Sequence, residues 1–541
     1  MLSERTPLPF SVLSACLPRL LRPALFSLSS LSSVSSVVFS PPTHALSGIL
    51  RCVLCVPLFL FSPLSAAPVQ GRITDGQRGL AGVRVYPDRL PRVSPAGDPP
   101  VVLTDAEGRF HLDLEADDTI LAVEKDGWRR DLVPAAEWSR EIVLHPEPGF
   151  HKEFVFLVRL DFTDEPSRLP DGALRELIFS RRPGVASAAN YLYEVSKGAL
   201  SLVEGRFLKL RSADHPAPRH DEHATAMARW VLERLRGETW GDCDRLDNRT
   251  GAAKPDGKPD HLWLITPGAP QSLTADEAHL KAVSLLVPLP WNRSRRWPLL
   301  FMTEEVPLGN IVHEAFHAMG EHRVDDLYLE SGAQLTAGIW DLMDGGQYRG
   351  WDRSHPEAGP WVEDTGYSPS HPSAWVRSEL WYRGHFRPAI RRLALPGRTW
   401  EGWIAPASRA PGTDPQWVTL PDPRKKGRFF SLEVRRPWGF ERGRVGGRFG
   451  PGYEGLVVAG IDPSLLTHGD PKGPMRVVDA HPGSALPPKP RLPNRLWELD
   501  DAAFNLGPGE QPKGRSGPLA WEVLETDASG RMRVRVRLDR R

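Results

Sequence analysis

The sequence predicts a multidomain fold: an all-β sandwich over residues 68–148, a central α/β (α+β) domain over 149–388 and a β-rich C-terminal region over 389–541, all behind a leader of residues 1–67. Three observations carry this reading. Short alternating segments separated by turns fill Val69 to His145; apolar runs alternate with helical periods from Phe154; and beyond about Pro388 the helical period fades into short strands divided by Pro and Gly. A chain of 541 residues has room for roughly two to four domains with buried cores.

The leader is rich in Ser, Leu and Pro and nearly free of acidic residues. It ends in Arg51-Cys52, the apolar run VLCVPLFLFSPL and the small residues Ser65, Ala66 and Ala67. A basic flank, a short apolar core and a small-residue exit describe a secretory signal, and Pro57 and Pro63 interrupt the run too early for a membrane span. The expectation is a secreted, extracellular or periplasmic protein with no stable membrane span once the signal is removed. Cys16, Cys52 and Cys55 lie in the leader, which leaves Cys243 alone in the mature chain and no internal disulfide.

In the sandwich region, VQGRITD, AGVRVYP, PVVLTDAEGRFHLDLE, TILAVEKDGW and EIVLH read as strands, with turns at Asp75-Gly76, Glu107-Gly108 and Asp126-Gly127. Pro146-Glu147-Pro148-Gly149 can continue neither strand nor helix and marks the boundary. In the central domain FVFLVRLDFTDEP reads as a buried strand, GALRELIFS and SAANYLYEVSKGAL as helices, SLVEGRFLKL as a strand and ATAMARWVLERL as a long helix. HLWLIT and AVSLLVPL add strands. RFFSLEVRR, EGLVVAGID, MRVVDA and RMRVRVRL supply the C-terminal strands.

Charge excludes some partners. With 68 Lys+Arg against 67 Asp+Glu the net charge is +1 and no block of one sign dominates, so neither nucleic acid nor an anionic membrane surface is the expected partner. The 54 prolines and 48 glycines are scattered among apolar segments, which describes a globular chain with many turns.

Chemistry concentrates in GNIVHEAFHAMGEHRVDDLY, Gly309 to Tyr328. Leu308, Ile311, Val312, Ala315, Phe316 and Met319 follow the helical i, i+3, i+4, i+7 series and form one stripe. His313 and His317 lie one turn apart away from that stripe, where both imidazoles can reach one metal ion, with Glu314 beside them to activate a water. Pro307 suits the start of the helix and Gly320 its end. A catalytic zinc needs three protein ligands. In the extended pattern H-E-x-x-H-x-x-G-x-x-H the third would fall on Arg323, which cannot bind a cation; His322, Asp325 and Asp326 are the substitutes nearby.

Asp326-Leu327-Tyr328 resembles the D-L-Y of the immune-inhibitor-A-like secreted metallopeptidases, and that resemblance implies an aspartate as third zinc ligand, with Asp326 and Asp325 both open. Gly338-Ile339-Trp340-Asp341-Leu342-Met343-Asp344-Gly345-Gly346 is similar to the W-D-x-M-x-x-G segment of that family, whose methionine turn lies beneath the metal. LVRLDFTDEP, NYLYEVSKGALSLVEG, HPSAWVRSELWY, FFSLEVRR and YEGLVVAGID resemble further segments, in order, over residues 152 to 510. GRITDGQRGLAGVRV with TDAEGRFHLDL resembles the carboxypeptidase regulatory-like, transthyretin-like sandwich, which implies an accessory role.

The resemblance implies a zincin-like domain in a secreted zinc endopeptidase acting on protein or peptide substrates, with Zn2+ held by His313, His317 and Asp326 or Asp325, and Glu314 as general base. Tyr348 and His371 are candidates for stabilising an oxyanion. The alternative is a non-catalytic secreted binding protein on a degenerate scaffold, which Arg323 motivates. Asp242, Asp244, Asp247, Asn248, Asp256 and Asp260 crowd one loop with hard oxygen ligands suited to Ca2+ and resemble the family's calcium loop, interrupted by RTGAAKPDGK. His220-Asp221-Glu222-His223 is a rival metal cluster, although acidic residues at the start of the following helix are expected from its dipole alone.

Overall fold

The structure is a computed structural model that describes residues 68–89, 99–115, 118–212, 221–238, 240–245, 254–255, 257, 259–269, 282–289, 292–318, 324–328, 336–348, 368–380, 390–396, 399–444, 454–465, 473–482, 499 and 501–539. Seven short strands come first: β1 Pro68–Thr74, β2 Arg84–Pro87, β3 Val102–Leu103, β4 Arg109–Asp113, β5 Ile120–Glu124, β6 Asp131–Pro134 and β7 Glu141–Val143. They form two sheets, β4-β1-β7 and β3-β2-β5-β6, which share a core of Ile73, Val83, Val85, Phe110, Leu112, Leu121, Val123, Val133 and Ile142. The alternation of β4 sets its inward face: Phe110 and Leu112 are buried between exposed neighbours. Gly108 is required at its turn, since φ is +79° and a Cβ would stand 2.1 Å from the Ile73 carbonyl.

The central layer is a five-stranded sheet of β8 His151–Phe162, β9 Leu200–Ser212, β10 His261–Thr266, β11 Val283–Leu289 and β12 Asn292–Thr303, in the order β11-β12-β10-β8-β9. All neighbours are parallel except β11, an antiparallel edge strand. Helices cover both faces, which is why β8 reads as a continuous apolar run instead of an alternating one. Its Val155 and Leu157 join the core under α1 Asp171–Phe179, α2 Ala188–Val195 and α4 Leu308–Ala318. Phe156, Val158 and Leu160 point the other way, into the core under α3 Asp221–Arg234.

The C-terminal strands are β13 Arg392–Ala394, β14 Thr399–Ile404, β15 Trp417–Pro421, β16 Phe429–Arg435, β17 Gly455–Ile461, β18 Met475–Val477, β19 Lys513–Ser516, β20 Leu519–Thr526 and β21 Met532–Leu538. They form a five-stranded sheet, β13-β15-β16-β17-β18, and a four-stranded one, β14-β21-β20-β19, around one apolar core. The other face of the five-stranded sheet sends Trp417, Ala459, Ile461 and Met475 into the core that also holds α2 and α4. The architecture is thus a β-rich α/β fold with several sheets and few helices, and Pro63–Arg541 forms one compact unit. Among the described residues no helix is long and apolar enough to cross a membrane.

β6, β13, β14, β15, β19 and β20 lie in segments where the sequence predicts no individual strand, and two further departures bear on the site. β12 has no counterpart in the sequence reading, because NRSRRW lacks an apolar face and only PLLFMT carries a strand signal. And α4 is buried on nearly all sides instead of along one stripe: only Glu314 among its residues keeps appreciable exposure. The leader, His322 and Arg323 lie outside the described residues, as do Met319 and Gly320.

Candidate metal centre

Helix α4 starts where β12 ends. Glu304 anchors this junction: its amide bonds to the Thr266 carbonyl at 2.8 Å, and its carboxylate receives Arg159 Nη2 at 2.8 Å and the amides of Arg168 and Leu169 at 2.8 and 3.0 Å. Pro307, with no amide proton of its own to satisfy, offers its carbonyl to Asn310 and Ile311 at 3.1 and 3.2 Å. The helix that follows carries His313 and His317 on one side, with their rings 4.7 Å apart and nearly perpendicular.

Both imidazoles are buried and oriented from behind. His313 Nδ1 donates to the Leu342 carbonyl at 3.0 Å, and His317 Nδ1 donates to the Val324 carbonyl. These bonds fix the tautomer and turn both Nε2 lone pairs inward. The two Nε2 atoms are 3.1 Å apart, and Asp326 Oδ1 lies 3.0 Å from His313 Nε2 and 3.1 Å from His317 Nε2. Among the described residues His313, His317 and Asp326 are the group of His, Cys, Asp or Glu whose ligand atoms converge well enough to hold a metal ion. Asp325 is half-buried and outside that group.

The donor set fits a tetrahedral cation. Bonds of about 2.0–2.1 Å in tetrahedral geometry put ligand atoms about 3.3 Å apart, close to the three edges seen here. Two imidazole nitrogens and a carboxylate oxygen are a donor set that zinc takes and that iron(II) takes as well. The electrostatics agree in sign. Burial lowers the basicity of His313, but its hydrogen bond to Asp326 and the charges of Glu314 and Asp326 outweigh it and raise its pKa to about 9. Burial pushes the Asp326 carboxyl up, yet the two imidazoles hold it far below its ordinary value. Positive charge is therefore favoured at the point where the three residues meet.

Glu314 stands beside this trio. Its Oε2 accepts the Ser284 amide of β11 at 2.7 Å, so the carboxylate is tied to the edge strand of the central sheet. Burial raises its pKa, and the two imidazoles only partly oppose the shift. The Tyr328 ring, 37% exposed, stacks on His313 with centroids 6.3 Å apart and 19° between planes.

The turn from Asp341 to Gly345 supports two of the ligands at once. Its Leu342 carbonyl holds His313, and its Met343 carbonyl receives the Leu327 amide at 2.8 Å, which fixes the backbone next to Asp326. Asp341 braces the turn from inside, accepting Met343 N at 2.8 Å on one oxygen and Ser373 N at 2.7 Å on the other. Burial lifts its pKa to about 6 against these donors. Asp344 Oδ2 gathers the amides of Thr336, Ala337 and Gly338 at 3.2, 2.8 and 2.8 Å. Met343 is fully buried and packs in the central core. Backbone donors and acceptors do this positioning, so the sequence carried no sign of it beyond the quoted WDLMDGG segment.

Other predicted residues are placed elsewhere. His371 is buried with Nε2 2.7 Å from Glu194 Oε1, outside the trio, and the Tyr348 side chain lies outside the described residues. Of the acidic loop, Asp247, Asn248 and Asp256 are not described; Asp244 accepts Gly257 N at 2.9 Å and Asp260 accepts Arg245 N at 3.2 Å. No metal-capable group occurs in that loop among the described residues, and His220 with the side chains of Asp221 and Glu222 lies outside them. Cys243 is buried and reduced, with its thiol pKa pushed up to about 12 chiefly by burial. In comparisons with known proteins, no family model and no curated protein matches this chain.

Proposed function

We propose that this protein is a secreted zinc-dependent endopeptidase with a zincin-like central domain. The observation that carries the reading is the convergence of His313 Nε2, His317 Nε2 and Asp326 Oδ1 at tetrahedral-edge spacing, with Glu314 on the same helix. Those three residues would hold the ion, which when bound supplies Lewis acidity that polarises a peptide carbonyl and acidifies water. Glu314 takes the proton from the attacking water and later delivers it to the leaving amine. Its raised pKa brings it closer to neutrality, as a base that must also act as an acid requires, and the Ser284 amide keeps one oxygen oriented. The carbonyls of Leu342 and Val324 hold the imidazoles by Nδ1 and so aim both Nε2 atoms at the point where the ion would sit.

The test is elemental analysis of the purified chain together with peptide cleavage. Stoichiometric zinc, lost to chelator along with cleavage and restored by zinc, is the expected result. Stoichiometric iron in place of zinc, or a chain that takes up no metal and cleaves nothing, rejects the reading; the second outcome favours the binding-protein alternative.

A further inference from the structure

The N-terminal sandwich reaches the supports of the metal centre through an unbroken series of buried polar contacts. Arg130, in the turn between β5 and β6, is 4% exposed and places Nη2 2.9 Å from Glu194 Oε2 on α2, while its amide bonds to the Lys197 carbonyl at 3.0 Å. The other Glu194 oxygen meets His371 Nε2 at 2.7 Å and the Phe440 amide at 2.8 Å. One turn earlier on α2, the Tyr191 hydroxyl donates to the Ser370 carbonyl at 2.6 Å. Helix α2 thus holds a strap, residues 370–373, by two adjacent side chains.

The strap in turn holds the Asp341–Gly345 turn. Ser370 N donates to the Gly346 carbonyl at 3.0 Å, Ser370 Oγ to the Ile339 carbonyl at 2.5 Å, and Ser373 N to Asp341 Oδ2 at 2.7 Å. That turn supplies the carbonyls that orient His313 and the backbone beside Asp326. We infer that Arg130 and Glu194 are positioning residues for the His313–His317–Asp326 centre, so that the sandwich is an integral support of the site and not an accessory module.

The physical reason is the cost of leaving Glu194 without its cation. A fully buried carboxylate whose guanidinium is removed must protonate, draw in water or move, and the groups it holds are His371 of the strap and the Phe440 amide. Neighbouring contacts at the same junction offer a control. Arg409 grips Asp131 of β6 through two bonds of 2.9 and 3.0 Å, and also reaches Glu137, without touching α2 or the strap. A change there loosens the sandwich but leaves the Arg130 relay in place.

The experiment is amide hydrogen exchange on the full chain with metal removed, which stands whether or not the peptidase reading holds. In Arg130→Met the amides of Leu327 and Met343 are expected to exchange at least about tenfold faster than in the parent chain, while Asp131→Asn leaves them unchanged and Arg130→Lys restores most of the protection. Glu194→Gln, which keeps volume and most hydrogen bonds, should give a smaller change in the same direction and serves if Arg130→Met does not fold. Zinc titration of the same variants should show affinity reduced by about 10–100-fold in Arg130→Met, less in Glu194→Gln and not at all in Asp131→Asn. Exchange that rises within the sandwich but stays at the parent rate at Leu327 and Met343 in both Arg130→Met and Glu194→Gln overturns the inference. Failure of the parent chain to bind zinc overturns the proposed function alone.

Discussion

At the scale of single residues, the proposed chemistry turns on which carboxylate meets the two imidazoles. Asp326 does so with one oxygen shared between His313 and His317, and Asp325 does not. Asp326→Asn keeps the shape but removes the charge, so zinc affinity should drop by more than the roughly 10–100-fold typical of losing an outer hydrogen-bond partner; competition with a chromogenic chelator measures it. Glu314→Gln should retain zinc while cleavage slows by roughly 100- to 10,000-fold, the usual contribution of a positioned acid–base group; turnover near the parent rate in a clean preparation would remove Glu314 from the mechanism. His371 offers a pH signature. Burial lowers its pKa from 6.5 to about 4 despite the Glu194 contact, so the unfolded chain binds a proton that the folded chain refuses. Its contribution to stability is complete above about pH 6.5 and is lost as pH falls toward 4. Asp341, raised to about 6, acts with the opposite slope, so the measurement is the difference in melting between the parent and His371→Gln over that range. The two histidines and Glu314 were legible because H-E-x-x-H is a local pattern. The choice between adjacent aspartates was not, since it depends on how the backbone turns after α4.

At the scale of elements, α4 is the hub. Its apolar stripe packs on the central sheet as the periodicity predicts, but its histidine side is also covered, by the turn at Asp341–Gly345 that a helical wheel cannot reveal. Phe316 is fully buried in that packing. Phe316→Ala should cost about 3–5 kcal/mol in urea unfolding, and a loss under about 1 kcal/mol would mean that the helix is less enclosed than described. Strands β8, β10 and β11 were visible as apolar runs, whereas β12 was hidden by the arginines at its start. The edge strand β11 matters beyond its length, because its Ser284 amide points at Glu314 and not at a neighbouring strand.

For the whole molecule, the sandwich, the central layer and the C-terminal sheets are joined by buried charges as well as by apolar contact. Asp131 and Arg409 are 278 residues apart in sequence, and no local pattern announces their meeting. Asp131→Asn removes one partner of an enclosed pair and should lower the local stability of the sandwich by about 3 kcal/mol, read as faster amide exchange in β5 and β6 and faster proteolytic cutting near Pro146-Glu147-Pro148-Gly149; unchanged rates at both places would show that the pair is solvated. The order of strands has a further consequence, for the time course of folding. Every parallel pairing of β8, β9, β10 and β12 closes a long stretch of chain within a sheet that runs from His151 to Thr303, whereas the sandwich, in which β2–β3 and β5–β6 join neighbours in sequence and β1–β4, β1–β7 and β2–β5 do not, is complete between Pro68 and Val143. The sandwich is therefore expected to form first as the polypeptide emerges from the ribosome, presenting a finished surface on which the slower central sheet completes itself.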